Sequence, residues 1–193
     1  MKHTCMELFG SMSKREKSMK FYEVMQDKRE MYNYVIEKVE WDTSSSEPFG
    51  IGDFKGSYDS LPDLFIFGNE CYVSAELKEI MEMYTTEAEY RIVIFSNIED
   101  SIQKECYLVI APLIDALGDK TTYLKNGWID KKVFHRGKIG EYKLFDLKEN
   151  DPGGFRKKHL YIHLDLVESI LRRKLWGMEF KEVMMEEYSG FSR

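Results

Sequence analysis

One pattern, used twice, constrains this chain more than any other feature. "ECYVSAELKEIMEMYTTEAEYRIVIF", Glu70 to Phe95, and "HLYIHLDLVESILRRKLWGMEFKEV", His159 to Val183, carry nearly the same order of residue types. Tyr72-Val73 matches Tyr161-Ile162, Glu76-Leu77 matches Asp165-Leu166, and Glu79 matches Glu168. Leu77, Ile80, Met81 and Tyr84 fall at i, i+3, i+4 and i+7, one apolar helix face, and Leu166, Val167, Ile170 and Leu171 form a second stripe. Ser74 is placed as an N-cap, since its hydroxyl can accept a first-turn N–H. Arg172, Arg173 and Lys174 complement the negative end of the second helix, and Gly177 is placed to stop it. Each helix is preceded and followed by a strand pattern. Two units are too few for a solenoid. On periodicity alone, duplication and convergence both remain open.

The rest of the chain supplies more strands. "KFYEVMQ" and "YNYVIEKVEW" (Tyr32 to Trp41) alternate and read as two antiparallel strands around the turn "QDKRE". Asp42 to Asp63, rich in Ser, Gly, Pro and Asp, reads as a long loop. "LFIF" at Leu64 to Phe67 reads as a short buried strand, "CYLVIAPLIDAL" as a strand broken at Pro112, and Asn126-Gly127 as a hairpin turn. Two further short strands are expected around Gly137 and Gly140, and "NDPGG" (Asn150 to Gly154) as a turn cluster. The expected fold is α+β: a mainly antiparallel sheet, open to parallel pairs, with two principal helices packed on it. Residues 1–19 read as a flexible leader, with "MKFYEV" at Met19 as the alternative natural beginning. Residues 20–184 read as one domain with room for two sub-lobes, about 20–100 and 101–184, and 185–193 as an exposed tail.

The 193 residues suffice to bury a core without covalent staples. A net charge of −6 counts against a duplex-binding protein, which must neutralise phosphates. Cys5, Cys71 and Cys106 are odd in number and widely spaced, which fits a reducing cytoplasm better than a disulfide framework. No apolar run approaches the roughly 20 residues that span a bilayer. The expectation is a cytoplasmic protein with no membrane and no nucleic-acid partner.

"YVSAELKEIM", "YLVIAPLIDAL" and "LYIHLDLVESILRRKLWGMEF" together resemble one family of bacterial immunity proteins from polymorphic toxin systems, the eleventh in the usual numbered series, a myxobacterial-type immunity domain. Its pattern is a "VS-x-x-L" helix start, a "D-x-L" segment, and a closing helix with a "G-x-x-F" strand. Val73, Ser74 and Leu77 match the first element, Asp115 and Leu117 the second, and Gly177 and Phe180 the last. The resemblance covers roughly Lys20 to Val183. His163 stands where the family carries Ser, and the first helix lacks a glycine stop. The resemblance implies a non-enzymatic protein that binds and neutralises a cognate toxin. It assigns no catalytic, cofactor, metal or toxin-contact residue, because the matching positions are fold positions.

Direct inspection for chemistry points the same way. His159 and His163 are four apart, but the alternation with Leu160, Ile162 and Leu164 puts both on one strand face, as satisfied or solvated histidines rather than metal ligands. His3 and His135 have no companions. "GKIG" (Gly137 to Gly140) is flanked by strand patterns and reads as a β-turn, not an RNA-binding loop. "GIGD" (Gly50 to Asp53) is half a dinucleotide fingerprint and opens no helix. Ser44, Ser45 and Ser46 lack the strand–turn–helix setting of a nucleophile. Glu179, Glu182, Glu186 and Glu187 read as solvated, Cys71 and Cys106 as buried structural thiols. The runs Arg156-Lys157-Lys158 and Arg172-Arg173-Lys174 read as solvated element ends, with an anion or nucleic-acid patch on one basic face as the sharper alternative. No cofactor is expected. An enzyme with an unrecognised site and a general interaction module remain the other readings.

Overall fold

The structure is a computed structural model, and it describes residues 19–29, 33–44, 46–149 and 158–186. Two sheets carry the fold. The six-stranded sheet has the order β2-β3-β6-β7-β5-β4. Its strands are β2 (Val35–Asp42), β3 (Phe49–Lys55), β4 (Leu64–Phe67), β5 (Glu70–Ser74), β6 (Glu89–Asn97) and β7 (Ile102–Ile110). The five-stranded sheet has the order β14-β1-β13-β12-β8. It is built from β1 (Phe21–Gln26), β8 (Leu113–Ile114), β12 (Leu144–Leu147), β13 (Leu160–His163) and β14 (Met178–Glu182). Helix α1 (Ala75–Glu82) follows β5 without a loop, and α3 (Leu164–Arg172) follows β13 in the same way. Most strand pairs are antiparallel; β3/β6 and β8/β12 are parallel.

The two sequence stretches build the same unit. β5 and β6 each pair antiparallel with β7, so they run parallel with β7 between them. β13 and β14 stand in the same relation to β1. Each is a βαβ crossover split by an inserted strand, and the strand inserted into the second unit comes from the start of the described chain. The likeness extends to the preceding hairpins. Leu64, Phe65 and Ile66 face Val73, Tyr72 and Cys71, while Leu144, Phe145 and Asp146 face Ile162, Tyr161 and Leu160. Phe65 stacks on Tyr72 with ring centres 5.4 Å apart, and Phe145 stacks on Tyr161 at 5.4 Å.

Strand alternation sorts these residues into three apolar cores. A shared core takes Leu64, Val73, Leu144 and Ile162 from the two sheets, with Leu77, Ile80, Leu166 and Ile170 from the two helices between them. The opposite face of the first sheet packs Phe54, Phe65, Tyr72, Phe95 and Leu108. The opposite face of the second packs Phe21, Phe134, Phe145, Leu147 and Tyr161. Phe134 belongs to a covering segment between β8 and β12. This segment holds a hairpin of β9 (Thr122–Tyr123) and β10 (Ile129–Lys131), then β11 (Val133–Phe134) and the one-turn helix α2 (Arg136–Ile139). β15 (Met184–Met185) pairs parallel with β11.

Several expectations need correction. β1 does not pair with β2; it sits inside the second sheet, where both neighbours are already taken. Gln26 at its end bridges instead, donating to the Tyr34 hydroxyl and accepting the Ile66 N–H at 3.0 Å. The expected loop from Asp42 to Asp63 contains β3. Its glycines are packing residues: a Cβ on Gly52 would lie 2.4 Å from the Phe95 ring, and one on Gly50 2.9 Å from Val93. The sheets exchange at Pro112 rather than near residue 100, since β7 lies in the first and β8 in the second. The two short strands expected around Gly137 and Gly140 are β11 and β12, but no β-turn joins them: "RGKI" forms α2, which ends at Gly140 with φ +63°. At the chain's other end, Met185 and Glu186 are not exposed tail but dock on β11, with the Glu186 N–H donating to the Phe134 carbonyl at 2.8 Å.

Gly177 does not stop α3. The helix ends at Arg172, and Lys174 takes the left-handed turn at φ 58°. Gly177 instead joins the lobes at φ +89°, with Pro62 Cβ 2.2 Å from where its own Cβ would be. Beside it Asp63 spans both units. Its carbonyl accepts the Ser74 N–H at 2.8 Å, and its carboxylate accepts the Trp176 N–H at 2.9 Å.

Candidate functional site

Among the described residues, a cluster of covered ionisable groups sits on the outer face of the second sheet. β1 directs Glu23 to that face, β13 directs Tyr161, and His159 precedes β13 on the same side. Lys132 reaches in from the covering segment, between β10 and β11. Its ammonium donates to the Tyr161 hydroxyl at 2.6 Å and lies 3.6 Å from Glu23 Oε1. Glu149 Oε1 is 2.8 Å away, an ion pair rather than a directed hydrogen bond. His159 Nδ1 is 2.5 Å from Glu23 Oε1. The side chains of Glu23, Glu149, His159 and Lys132 are all at least four-fifths covered.

Burial alone would raise the Glu23 carboxyl. The His159 hydrogen bond and the charges of Lys132 and Lys181 outweigh it and hold the group below the usual carboxylate range. Burial, reinforced by Glu23 and Glu149, pushes the Tyr161 phenol above its ordinary value, so it stays protonated. A cleft of about 370 Å³ opens beside the cluster, walled by Ile129, Lys131, Lys181 and Met184 as well as Glu23 and Lys132. Chemically the arrangement is a carboxylate–imidazole pair joined to a lysine–tyrosine pair. Mechanically it ties the covering segment to the sheet, directly behind the exposed hairpin residues Tyr123, Leu124 and Trp128.

The histidines fall as the strand alternation predicts: His159 and His163 share a face with Tyr161. They do not converge on one point. His163 is buried and caps α3, its Nδ1 accepting the Asp165 N–H at 3.2 Å, with the Lys143 ammonium also 3.2 Å away. Accepting that N–H takes the neutral ring with its proton on Nε2, which Lys143 favours and which Asp165 Oδ2, 3.1 Å from the same nitrogen, opposes. Burial and Lys143 together hold the His163 pKa below its ordinary value. His135 precedes α2, and its Nδ1 is buried without a partner among the described residues. Burial pushes the Cys71 and Cys106 thiols up to about 12, which removes them as nucleophiles.

Ser44 donates to the Asp42 carboxylate, and Gly50 to Asp53 belong to β3. Glu182 pairs with Lys20 at 2.9 Å, Glu179 lies 4.0 Å from Arg29, and Glu186 accepts the Lys120 N–H. Arg172 pairs with Glu168 on its own helix. His3, Cys5, Ser45, Arg156, Lys157 and Glu187 lie outside the described residues. Among the described residues no group of three His, Cys, Asp or Glu side chains could hold a metal ion, and no helix is long and apolar enough to cross a membrane.

The motif positions of the resemblance are structural. Ser74 accepts the Leu77 N–H at 3.2 Å, and Val73 and Leu77 are fully buried. Asp115 lies 4.0 Å from Lys138, and both border a cleft of about 820 Å³ that is also lined by Thr121 and by Tyr123 and Ile129 of the hairpin. Leu117 bridges to Phe134, and Phe180 packs on the shared core. Sequence reasoning passed over Glu23, Lys132, Glu149 and Tyr161, which are distant in sequence and meet only through sheet order. The one local signal was Glu23, a charge inside the strand "FYEVMQ". The chain matches no protein-family model and no curated protein.

Proposed function

We propose that this chain is a non-enzymatic immunity protein, which acts in the cytoplasm by binding a cognate bacterial toxin and covering its working surface. The observation that carries this reading is how the covered ionisable groups are used. Glu23, His159, Lys132, Glu149 and Tyr161 bind one another and brace a covering segment, as scaffold residues do. The motif residues Ser74, Leu77 and Gly177 likewise serve a cap, a core and a lobe junction. A chain so built contributes surfaces rather than a reaction. The test is co-expression with each candidate toxin encoded beside it. Stoichiometric co-purification and restored growth are expected; failure to bind or inhibit any neighbouring toxin overturns the reading.

A second reading, an enzyme, draws on the carboxylate–imidazole pair at the wall of the 370 Å³ cleft. His159→Ala separates the two. Toxin inhibition survives that change if the protein works by docking, whereas any turnover by the purified chain would be lost with it.

A further inference from the structure

We propose that the toxin docks on the open face of the six-stranded sheet, centred on Ile51 and Ile94, through an apolar anchor ringed by lysine or arginine. This rests on the toxin-binding reading and names its surface. The face is the same one that bears the shared core. Helix α1 covers its β5–β7 side, over Val73 and Val109, and reaches Tyr90 at the start of β6. Beyond Tyr107 no helix among the described residues packs over this face of β7, β6, β3 and β2, where Ile51 and Glu105 are exposed. Strand register then sets a row of four side chains on that face. Glu40 stands opposite Ile51, Ile51 beside Ile94, and Ile94 opposite Glu105. Ile51 is 48% exposed, high for isoleucine in an interior strand.

The flanking rows differ: one is apolar with an acid at one end, the other is the polar row Lys38–Asp53–Ser96–Gln103. On one side Ile92 faces Tyr107, and Asp42 faces Phe49. On the other, Asp53 follows Ile51 along β3 and lies 3.4 Å from Lys38. An aliphatic centre with a charged rim is the anatomy of a protein-docking surface, in which the rim keeps water from the anchor. The sign of the rim chooses the partner. Between Asn33 and Ile110 the chain holds 16 acidic and five basic residues, a formal charge of −11, although the whole chain carries only −6. The remainder is therefore net basic. A cationic partner is drawn to this lobe and turned away from the other. A second copy of the chain would present the same acids and be repelled.

Two measurements test the proposal. The first uses the toxin of the co-expression experiment. Glu40→Lys with Glu105→Lys should weaken binding about tenfold or more, chiefly through a slower association rate that depends less on salt than the wild type's. Ile51→Ser should speed dissociation, while Trp128→Ser on the second lobe leaves affinity within about twofold. A wild type that binds with all of these variants unchanged overturns the surface and leaves the immunity reading standing. The second needs no toxin: isoleucine-methyl spectra during titration with a synthetic peptide of alternating leucine and arginine. Shifts should concentrate on Ile51, Ile92 and Ile94. Shifts centred elsewhere, or sedimentation showing that this face pairs two copies of the chain, overturn it.

Discussion

The two lobes repeat one backbone and fill its outer face differently. In the first, Leu108 stands opposite Tyr72, within a cluster of Phe65, Phe95 and Tyr72. At the equivalent place in the second, Glu23 stands opposite Tyr161. Glu70 and His159 are a second such pair, each two residues before its tyrosine. The stacked Phe–Tyr pair is kept in both, so the aromatic geometry belongs to the hairpin itself. What differs is the cover. The second sheet lies under the segment carrying Lys132, and a carboxylate is tolerable there because that segment delivers a cation to it. The layer above, more than the sheet, decides what a strand position can hold.

If the helices share a single core, the lobes are one folding unit. Leu77 and Leu166, both fully buried, sit at matching places on α1 and α3. Truncating either to alanine should cost about 3 kcal/mol. In urea each variant should still unfold in a single transition, with the midpoint lowered equally by fluorescence and by circular dichroism. Separate transitions, or a loss confined to one lobe, would break the comparison at its base.

The polar brace gives a smaller effect. Lys132→Met removes the cation that Glu149 and Glu23 share. It should cost about 2 kcal/mol, less than a fully buried pair because the site is one-fifth exposed. Adding Glu23→Leu remakes the position in the image of Leu108 and should recover at least part of that loss; additive costs would disprove the coupling. Acid sensitivity should follow. The folded Glu23 pKa lies below its unfolded value of about 4.5. Its stabilisation is therefore present above that pH and is lost as pH falls through the folded pKa. Variants carrying leucine at 23 lack this part of the acid limb.

Much of the architecture was legible because it is local. The strand–helix units, the Ser74 cap and the α1 and α3 faces rest on spacing within about 15 residues, where periodicity is informative. The misread parts depend on distant neighbours. Gly50 and Gly52 signal a loop in isolation, yet they are needed under Val93 and Phe95 some 40 residues on. Gly177 signals a helix stop, but its lack of a side chain answers Pro62. β1 alternates well enough to pair with anything, and its place between β13 and β14 follows from the duplicated crossover. The brace was illegible for the same reason: Glu23, Lys132, Glu149 and His159 become neighbours only once the sheet order is known.

The smallest predicted difference lies in the helix caps, where the repeat substitutes one chemistry for another. Ser74 and His163 occupy the same position and each accepts a first-turn N–H, at 3.2 Å in both cases. A hydroxyl cap does not titrate between pH 5 and 8, so Ser74→Ala should cost about 1 kcal/mol throughout that range. An imidazole cap works only while Nδ1 is unprotonated. The folded His163 pKa lies below 6.5, because of burial and the Lys143 ammonium, partly opposed by Asp165. Between the two values the unfolded chain binds more protons than the folded one, so stability rises with pH. The contribution is whole above about pH 6.5 and is lost as pH falls through the folded value. His163→Ser gives up the ring's contact with Phe21 (centres 5.4 Å apart) and should cost about 1 kcal/mol at pH 7.5. It should also flatten the urea midpoint between pH 7 and 5 relative to the wild type, making the second lobe's cap behave like the first's. A slope that survives the substitution would place the titrating group elsewhere.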